Sequence, residues 1–214
     1  MLDRSLLQGL YVLTDEFLTP NETLLEQMER VLKSGVRVLQ YRNKNANEEE
    51  ALRDCIRLQA LCDYYEALFI VDDRLDVAYE MNADGLHVGM DDVGYEEARE
   101  RLGKDKIIGV SCYGDIERAL HYEALGADYV AFGSFFPSPT KPHSQVVSPS
   151  ILEEAKKRLK APICAIGGIN QENISQLHAY ELAMYSVISA VYKEDNIEDN
   201  VEKMHAIIQK ASMC

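Results

Sequence analysis

Cationic and amide side chains alternate within one short stretch of the chain. Gln40, Arg42 and Lys44 are separated by single residues and follow an apolar run. In an extended strand the side-chain direction repeats every second residue, so this spacing turns all three toward one side. An amide and two cations on the inner side of a strand end are costly in an apolar core but suited to an anion. The stretch therefore predicts a contact with a phosphorylated ligand.

Carboxylates follow two later apolar runs. Asp72 and Asp73 come at the end of one run, and Asp92 follows the next. Carboxylates at the ends of neighbouring strands can share one hard cation. Magnesium commonly takes one or two of them and leaves its other positions to water and substrate phosphate. Each aspartate could instead cap the helix that follows it. Arg42 could instead pair with an acidic neighbour.

Two further features are typical of phosphate binding. Gly167-Gly168 and Ser189 each precede a predicted helix, where bare backbone N–H groups can hold an anion. Lys141 lies in a Pro-rich irregular stretch, residues 134–147. A loop of this length inside a compact domain is more often functional than idle, so we expect an active-site lid there.

Short apolar runs supply the strands that would position these residues. Most runs are continuous rather than alternating, which indicates parallel strands buried on both faces. The runs are Leu10–Thr14, Val36–Tyr41, Leu68–Asp72, Gly85–Val88, Ile107–Ser111, Tyr129–Gly133, Ile163–Gly167 and Met184–Ile188.

Segments with helical periodicity lie between these runs. Residues suited to begin helices are Asn47, Asp115, Ser148 and Asn170. Eight strand–helix units in succession predict a single-domain (β/α)8 TIM barrel over residues 1–214, with an open doubly wound sheet as the alternative. In such a barrel the chemistry lies at the carboxyl ends of the strands.

Composition and charge exclude several classes of partner. The chain has 214 residues, with 22 Lys and Arg against 36 Asp and Glu, and a net charge of −14. Such an acidic chain is a poor candidate for binding nucleic acid or an anionic membrane. The apolar runs are too short to span a bilayer, and the N-terminus lacks a signal-peptide pattern. Five cysteines without a C-x-x-C motif indicate reduced thiols, so we expect a cytoplasmic protein. The oligomeric state stays open, a homo-oligomer included.

The ordered set of motifs resembles the thiamine phosphate synthase (thiamine-phosphate pyrophosphorylase) family over nearly the whole chain. No single motif is specific, but their order is. The matching segments are Leu10–Asp15, Gln40–Lys44, Asp72–Ala78, Ala83–Gly89, Ile108–Ser111, Gly126–Val130, Phe136–Lys141, Ala165–Ile169 and Val187–Ala190.

The resemblance implies both a fold and a reaction. The fold is a (β/α)8 barrel. In the reaction, 4-amino-5-hydroxymethyl-2-methylpyrimidine diphosphate condenses with a thiazole phosphate to give thiamine phosphate and pyrophosphate. Magnesium, as cofactor, assists departure of pyrophosphate, and the thiazole nitrogen attacks.

The resemblance also implies a role for individual residues by position. Residues that would contact the pyrimidine diphosphate are Gln40, Arg42, Lys44, Asp72, Ser111 and Lys141. The catalytic residues among them would be Arg42, Lys44, Ser111 and Lys141. Magnesium would be held by Asp73 and Asp92. The thiazole phosphate site would be lined by Ser138, Thr140, Gly168, Ile188 and Ser189.

Some positions depart from the family pattern and keep other functions open. Asp72 stands where the family usually has Asn, and Met90 where it usually has Gln. Two alternatives follow. One is a thiazole tautomerase of the same fold, an isomerase that needs an acid–base group rather than metal carboxylates. The other is a non-catalytic phosphate-binding barrel. His87, within the fourth run, is interpreted as a structural residue. The preferred form of the thiazole, carboxylated or not, stays open.

Overall fold

Eight parallel strands close into a barrel in the order in which they occur along the chain. The computed structural model describes residues 2–90, 94–138 and 144–211. The strands are β1 (Gly9–Leu13), β2 (Val38–Tyr41), β3 (Leu68–Asp72), β4 (Gly85–Val88), β5 (Ile107–Tyr113), β6 (Tyr129–Phe132), β7 (Ile163–Ala165) and β8 (Met184–Val187). The predicted barrel is confirmed, and the open doubly wound sheet is wrong.

Helices connect the strands and cover the outside of the barrel. In the described ranges the α-helices are α1 (Leu24–Lys33), α2 (Glu48–Tyr64), α3 (Leu75–Glu80), α4 (Tyr95–Leu102), α5 (Ile116–Ala124), α6 (Ile151–Arg158), α7 (Ser189–Tyr192) and α8 (Ile197–Ala211). Short 3-10 helices span Arg4–Leu6, Ile174–Tyr180 and Lys193–Asp195. None of the helices described is both long and apolar enough to cross a membrane.

Two predicted helix starts are confirmed by their side-chain bonds. Asn47 accepts the Glu50 backbone N–H at 2.9 Å, and the Glu50 carboxylate accepts the Asn47 N–H at 3.1 Å, which forms a capping box. Asp115 accepts the Arg118 N–H at 3.0 Å. These bonds satisfy amide groups that the first helical turn cannot pair.

Two other predicted helix starts are wrong in detail. Helix α6 begins after Ser150, two residues beyond the predicted Ser148, because the Ser148 hydroxyl bonds to Ser150 instead. Asn170 accepts the N–H groups of Glu172 and Asn173 and so closes a turn. The segment that follows is a 3-10 helix rather than an α-helix.

Replacing Asn47 tests the capping box. Asn47→Ala should lower the free energy of unfolding by about 1 kcal/mol, because the Glu50 N–H in the first turn loses its side-chain acceptor. Urea denaturation followed by circular dichroism measures the change. Asn45→Ala, two residues earlier, is the matched control and should stay within about 0.5 kcal/mol of the parent. An equal loss in both variants would contradict a role for the cap.

The core has two layers, one inside the barrel and one between the sheet and the helices. The inner layer contains Leu7, Tyr11, Leu13, Val38, Leu68, Ile70, Ile107, Tyr129, Ala131, Cys164 and Met184. Gly109 pairs with Tyr129 in register, and a Cβ at Gly109 would overlap the Tyr129 ring. The glycine is therefore what allows a tyrosine to fill the centre of the barrel.

The cysteines of the described residues are free thiols. Cys55, Cys62, Cys112 and Cys164 are all buried. Burial raises the pKa of the Cys112 thiol to about 12. These side chains are therefore protonated, unreactive parts of the core.

Candidate active site

A cavity of about 300 Å³ opens at the carboxyl ends of the strands. All ten of the predicted site residues that the structure describes line it. They are Gln40, Arg42, Lys44, Asp72, Asp73, Ser111, Ser138, Gly168, Ile188 and Ser189. Gln40 lies in β2, and Arg42 and Lys44 follow it at intervals of two residues. All three side chains line the cavity, as predicted.

Three predicted site residues lie outside the described residues: Asp92, Thr140 and Lys141. The same holds for residues 139–143 of the predicted lid. The two ends of that loop meet, since the Val147 N–H donates to the Ser134 carbonyl at 2.8 Å. A lid over residues 134–147 stays a prediction.

Arg42 is a buried cation held by two carboxylates. Its side chain is 8% exposed. Its Nη1 lies 3.0 Å from Glu16 Oε2 and 3.4 Å from Asp15 Oδ2. Its Nε lies 3.9 Å from Asp72 Oδ2 and has no hydrogen-bond partner among the described residues. The acidic neighbour that the sequence left open for Arg42 therefore exists, and one buried donor of the guanidinium remains unsatisfied.

The backbone around Arg42 is fixed by Thr14 and Asp15. The Thr14 hydroxyl accepts the Arg42 N–H at 2.8 Å and donates to the Arg42 carbonyl at 3.0 Å. Asp15 Oδ1 accepts the backbone N–H groups of Phe17 and Leu18. Because Oδ1 is engaged in this turn, Oδ2 is left facing the guanidinium. The end of β1 thus holds the cation at the end of β2.

Lys44 and two aspartates form an ion-pair cluster at the wall of the cavity. The ammonium lies 3.6 Å from Asp72 Oδ2 and also contacts Asp73 Oδ2. Helix α3 begins after Arg74 without a side-chain cap. The capping alternative for Asp72 and Asp73 is therefore wrong, because both carboxylates face cations instead.

The opposite wall of the cavity presents backbone amide groups. Gly167 and Gly168 have φ values of +93° and +65°, the left-handed region that favours glycine. In the described part of the chain, the N–H groups of Gly167, Gly168 and Ser189 have no acceptor. A Cβ at Gly168 would collide with the carbonyls of Phe136 and Pro137. This wall can accept an anion.

Polar side chains below the cavity form a network that the sequence did not reveal. His87 Nε2 lies 2.8 Å from Ser111 Oγ, and His87 Nδ1 lies 2.9 Å from the Tyr129 hydroxyl. The Tyr129 and Tyr11 hydroxyls are 2.8 Å apart, and Gln40 Nε2 donates to Tyr11 at 2.7 Å. The interpretation of His87 as purely structural is thus incomplete, since it lines the cavity and contacts a predicted catalytic residue.

The comparisons with known proteins agree with one another. The model of the family described as thiamine monophosphate synthase matches residues 10–191. A thiamine-phosphate synthase of Alcanivorax borkumensis is 41% identical over 206 residues, which is 95% of each chain. One of Persephonella marina is 38% identical over 201 residues, 94% of this chain and 96% of that protein. The structure of thiamine phosphate pyrophosphorylase from Pyrococcus furiosus is similar with a TM-score of 0.87 at 36% identity, covering 97% of this chain and 98% of the other.

The fold and the cavity together define a (β/α)8-barrel enzyme with its site at the carboxyl ends of the strands. The matches to the family extend over nearly the full length of this chain. The chain therefore belongs to the thiamine-phosphate synthase family. Its activity is that of a transferase in thiamine biosynthesis, acting on small-molecule substrates.

Proposed function

We propose that this cavity binds pyrimidine diphosphate beside Arg42 and thiazole phosphate beside Gly168, and joins them with the help of magnesium. The observation that carries the proposal is the Arg42 Nε, a buried donor without a partner in the described residues. Buried polar groups are nearly always hydrogen-bonded, so such a donor at a cavity wall indicates a ligand acceptor. A diphosphate oxygen supplies that acceptor.

The charges around the cavity support a role for a metal ion. Asp72 and Asp73 already face Arg42 and Lys44, so these two cations are not free to neutralise a diphosphate alone. The two aspartates converge on one ammonium, which shows that their carboxylate oxygens can surround a positive centre. Magnesium needs only one or two protein carboxylates. We assign it to Asp73 together with Asp92. When bound, it would neutralise charge on the leaving diphosphate.

The reaction needs no nucleophile from the protein. The bond between the pyrimidine methylene carbon and the diphosphate oxygen breaks, and the electron-rich ring takes up the positive charge. The thiazole nitrogen then forms the new bond to that carbon. Arg42, Lys44 and Lys141 stabilise the departing pyrophosphate, and Ser111 donates to it. Gln40 and Asp72 hold the pyrimidine, and the predicted lid over residues 134–147 would exclude water that would capture the cation.

The thiazole phosphate is assigned to the amide-bearing wall. Backbone N–H groups of Gly168 and Ser189 donate to the phosphate without bringing further charge into an acidic protein. Ile188 also lines the cavity, and Ser138 with Thr140 would complete the site. This arrangement directs the thiazole nitrogen toward the pyrimidine methylene and so lowers the entropic cost of the reaction.

Product analysis with and without metal tests the proposal. With both substrates and Mg²⁺ the protein should form thiamine phosphate, and EDTA should stop it, measured by chromatography of the products. Asp73→Asn should raise the Mg²⁺ concentration for half-maximal rate by at least about tenfold. Asp76→Asn is the matched control, because the Asp76 carboxylate is exposed and pairs with Arg101.

Three outcomes would contradict parts of this proposal. Product formation that persists in EDTA would remove the metal. Conversion between thiazole phosphate isomers without thiamine phosphate would identify a tautomerase. Binding of both phosphates without any reaction would identify a non-catalytic barrel.

A further inference from the structure

We infer that Tyr129, which touches no substrate, is a positioning residue that fixes the direction of the Ser111 hydroxyl hydrogen through His87. The inference rests on the proposed function, in which Ser111 donates to the diphosphate. Ser111, His87, Tyr11 and Gln40 line the cavity, whereas Tyr129 is fully buried below it. One continuous hydrogen-bonded chain joins all five side chains across the barrel.

The Gln40 end of the chain determines its direction. Gln40 Nε2 donates to the Tyr11 hydroxyl. Tyr11 must then place its own hydrogen on another acceptor, and its other hydrogen-bond partner in the described residues is the Tyr129 hydroxyl. Tyr129 accordingly donates to His87 Nδ1. A hydroxyl has only one hydrogen to donate, so each step follows from the one before.

The direction of these hydrogen bonds also fixes which group donates at Ser111. With Nδ1 acting as an acceptor, neutral His87 carries its hydrogen on Nε2 and donates it to Ser111 Oγ. Within the described residues His87 is the one side-chain partner of that oxygen. The Ser111 hydroxyl hydrogen is therefore free to donate to a ligand oxygen. Donors that are oriented before the reaction stabilise developing negative charge without reorganisation.

The opposite direction leaves a buried group unsatisfied. If Ser111 donated to His87 Nε2, then Nδ1–H would donate to Tyr129, and Tyr129 to Tyr11. Tyr11 would then receive two hydrogens, and its own would lack an acceptor among the described residues. Tyr11 is 2% exposed, so water does not readily replace that acceptor.

Ring packing holds these hydrogen-bonded side chains in place. The His87 and Tyr129 rings stack with centroids 5.6 Å apart, and the Tyr11 ring meets Tyr129 edge-on at 5.9 Å. Gly109 opens the space that the Tyr129 ring fills. Burial raises the pKa of both tyrosines well above the usual value, so both keep their hydrogens at neutral pH.

A double-mutant cycle distinguishes this role from simple packing. Tyr129→Phe keeps the ring and removes the central hydroxyl. It should weaken binding of pyrophosphate in the presence of Mg²⁺, measured by calorimetry, and lower kcat, each by about tenfold. The KM for thiazole phosphate should stay within about twofold, since the chain does not reach the amide-bearing wall. In a Ser111→Ala background, Tyr129→Phe should change pyrophosphate binding and kcat by less than about twofold. The Ser111 hydroxyl, through which the change acts, is then already absent.

Controls keep the result interpretable. Tyr185→Phe removes a tyrosine hydroxyl from β8 in the helix-facing layer and should leave both constants unchanged. Tyr11→Phe removes the hydroxyl that gives these hydrogen bonds their direction and should weaken pyrophosphate binding in the same sense, though by less, if Tyr129→Phe does not fold. Equal losses from Tyr129→Phe with and without Ser111 would overturn the inference. Because pyrophosphate binding needs no turnover, this outcome differs from failure of the proposed function, in which the parent protein forms no thiamine phosphate.

Discussion

Arg42→Met should reduce kcat/KM by roughly 10²–10³ and lower the free energy of unfolding by about 3 to 5 kcal/mol. Methionine keeps the unbranched apolar stem of arginine but lacks the charged guanidinium. The variant loses the cation that, in the proposed function, neutralises the leaving group. It also leaves the carboxylates of Asp15 and Glu16 without their cation and leaves Asp72 with Lys44 alone. Steady-state kinetics and urea denaturation measure the two effects.

The control for this substitution is an arginine on the outer surface. Arg158 pairs with Glu154 and Glu117 on exposed helices, and its side chain is 38% exposed. Arg158→Met should change the free energy of unfolding by less than about 1 kcal/mol and leave kcat/KM unchanged. An Arg42→Met protein that retains more than a tenth of the parent activity would remove Arg42 from the chemistry.

Gly168→Ala should raise the KM for thiazole phosphate by about tenfold or more, with a much smaller change for pyrimidine diphosphate. The added methyl group meets the carbonyls of Phe136 and Pro137, which are backbone atoms and cannot rotate away. Residue 168 must therefore shift, and its N–H group moves away from the phosphate position. Initial rates at varied concentrations of each substrate separate the two KM values.

Gly103→Ala is the control that distinguishes the collision at residue 168 from backbone strain. Gly103 also has a positive φ, +83°, but a Cβ there meets nothing within 4 Å. Both alanine variants are strained by a positive φ, which costs about 1 to 3 kcal/mol in stability. Gly103 lies after α4, away from the cavity, so its variant should keep the parent KM values. If both variants raised the KM for thiazole phosphate equally, loss of stability rather than phosphate binding would explain the effect.

The strands and the site residues next to them could be predicted from the sequence where local residue spacing determines them. The alternation of Gln40, Arg42 and Lys44 required only the period of a strand, and the structure turns all three into one cavity. The strand limits fell within two residues of the apolar runs. An error arose where two neighbouring serines bond to each other and the residue before the helix makes no side-chain cap. At the start of α6, Ser148 bonds to Ser150, and no local rule decides between them.

The remaining site residues depend on barrel closure. Tyr11 and Tyr129 are 118 positions apart in sequence, and His87 and Tyr129 are 42 apart. A tyrosine in an apolar run looks the same whether its hydroxyl meets another side chain or not. The available signal was Gly109, since a glycine inside a strand indicates close approach of a bulky neighbour. Identifying that neighbour as Tyr129 required the register between β5 and β6.

The cluster of Lys44 with Asp72 and Asp73 has a consequence for how the enzyme meets its charged substrates. Its charges already compensate one another before any substrate arrives. If a diphosphate and a metal ion bind as proposed, they would exchange partners with this cluster: the Lys44 ammonium would turn from carboxylate to phosphate, and the Asp73 carboxylate from ammonium to metal. Each charge that loses its partner in this exchange would gain another of opposite sign. A protein with a net charge of −14 can in this way accept two anions without a large basic surface.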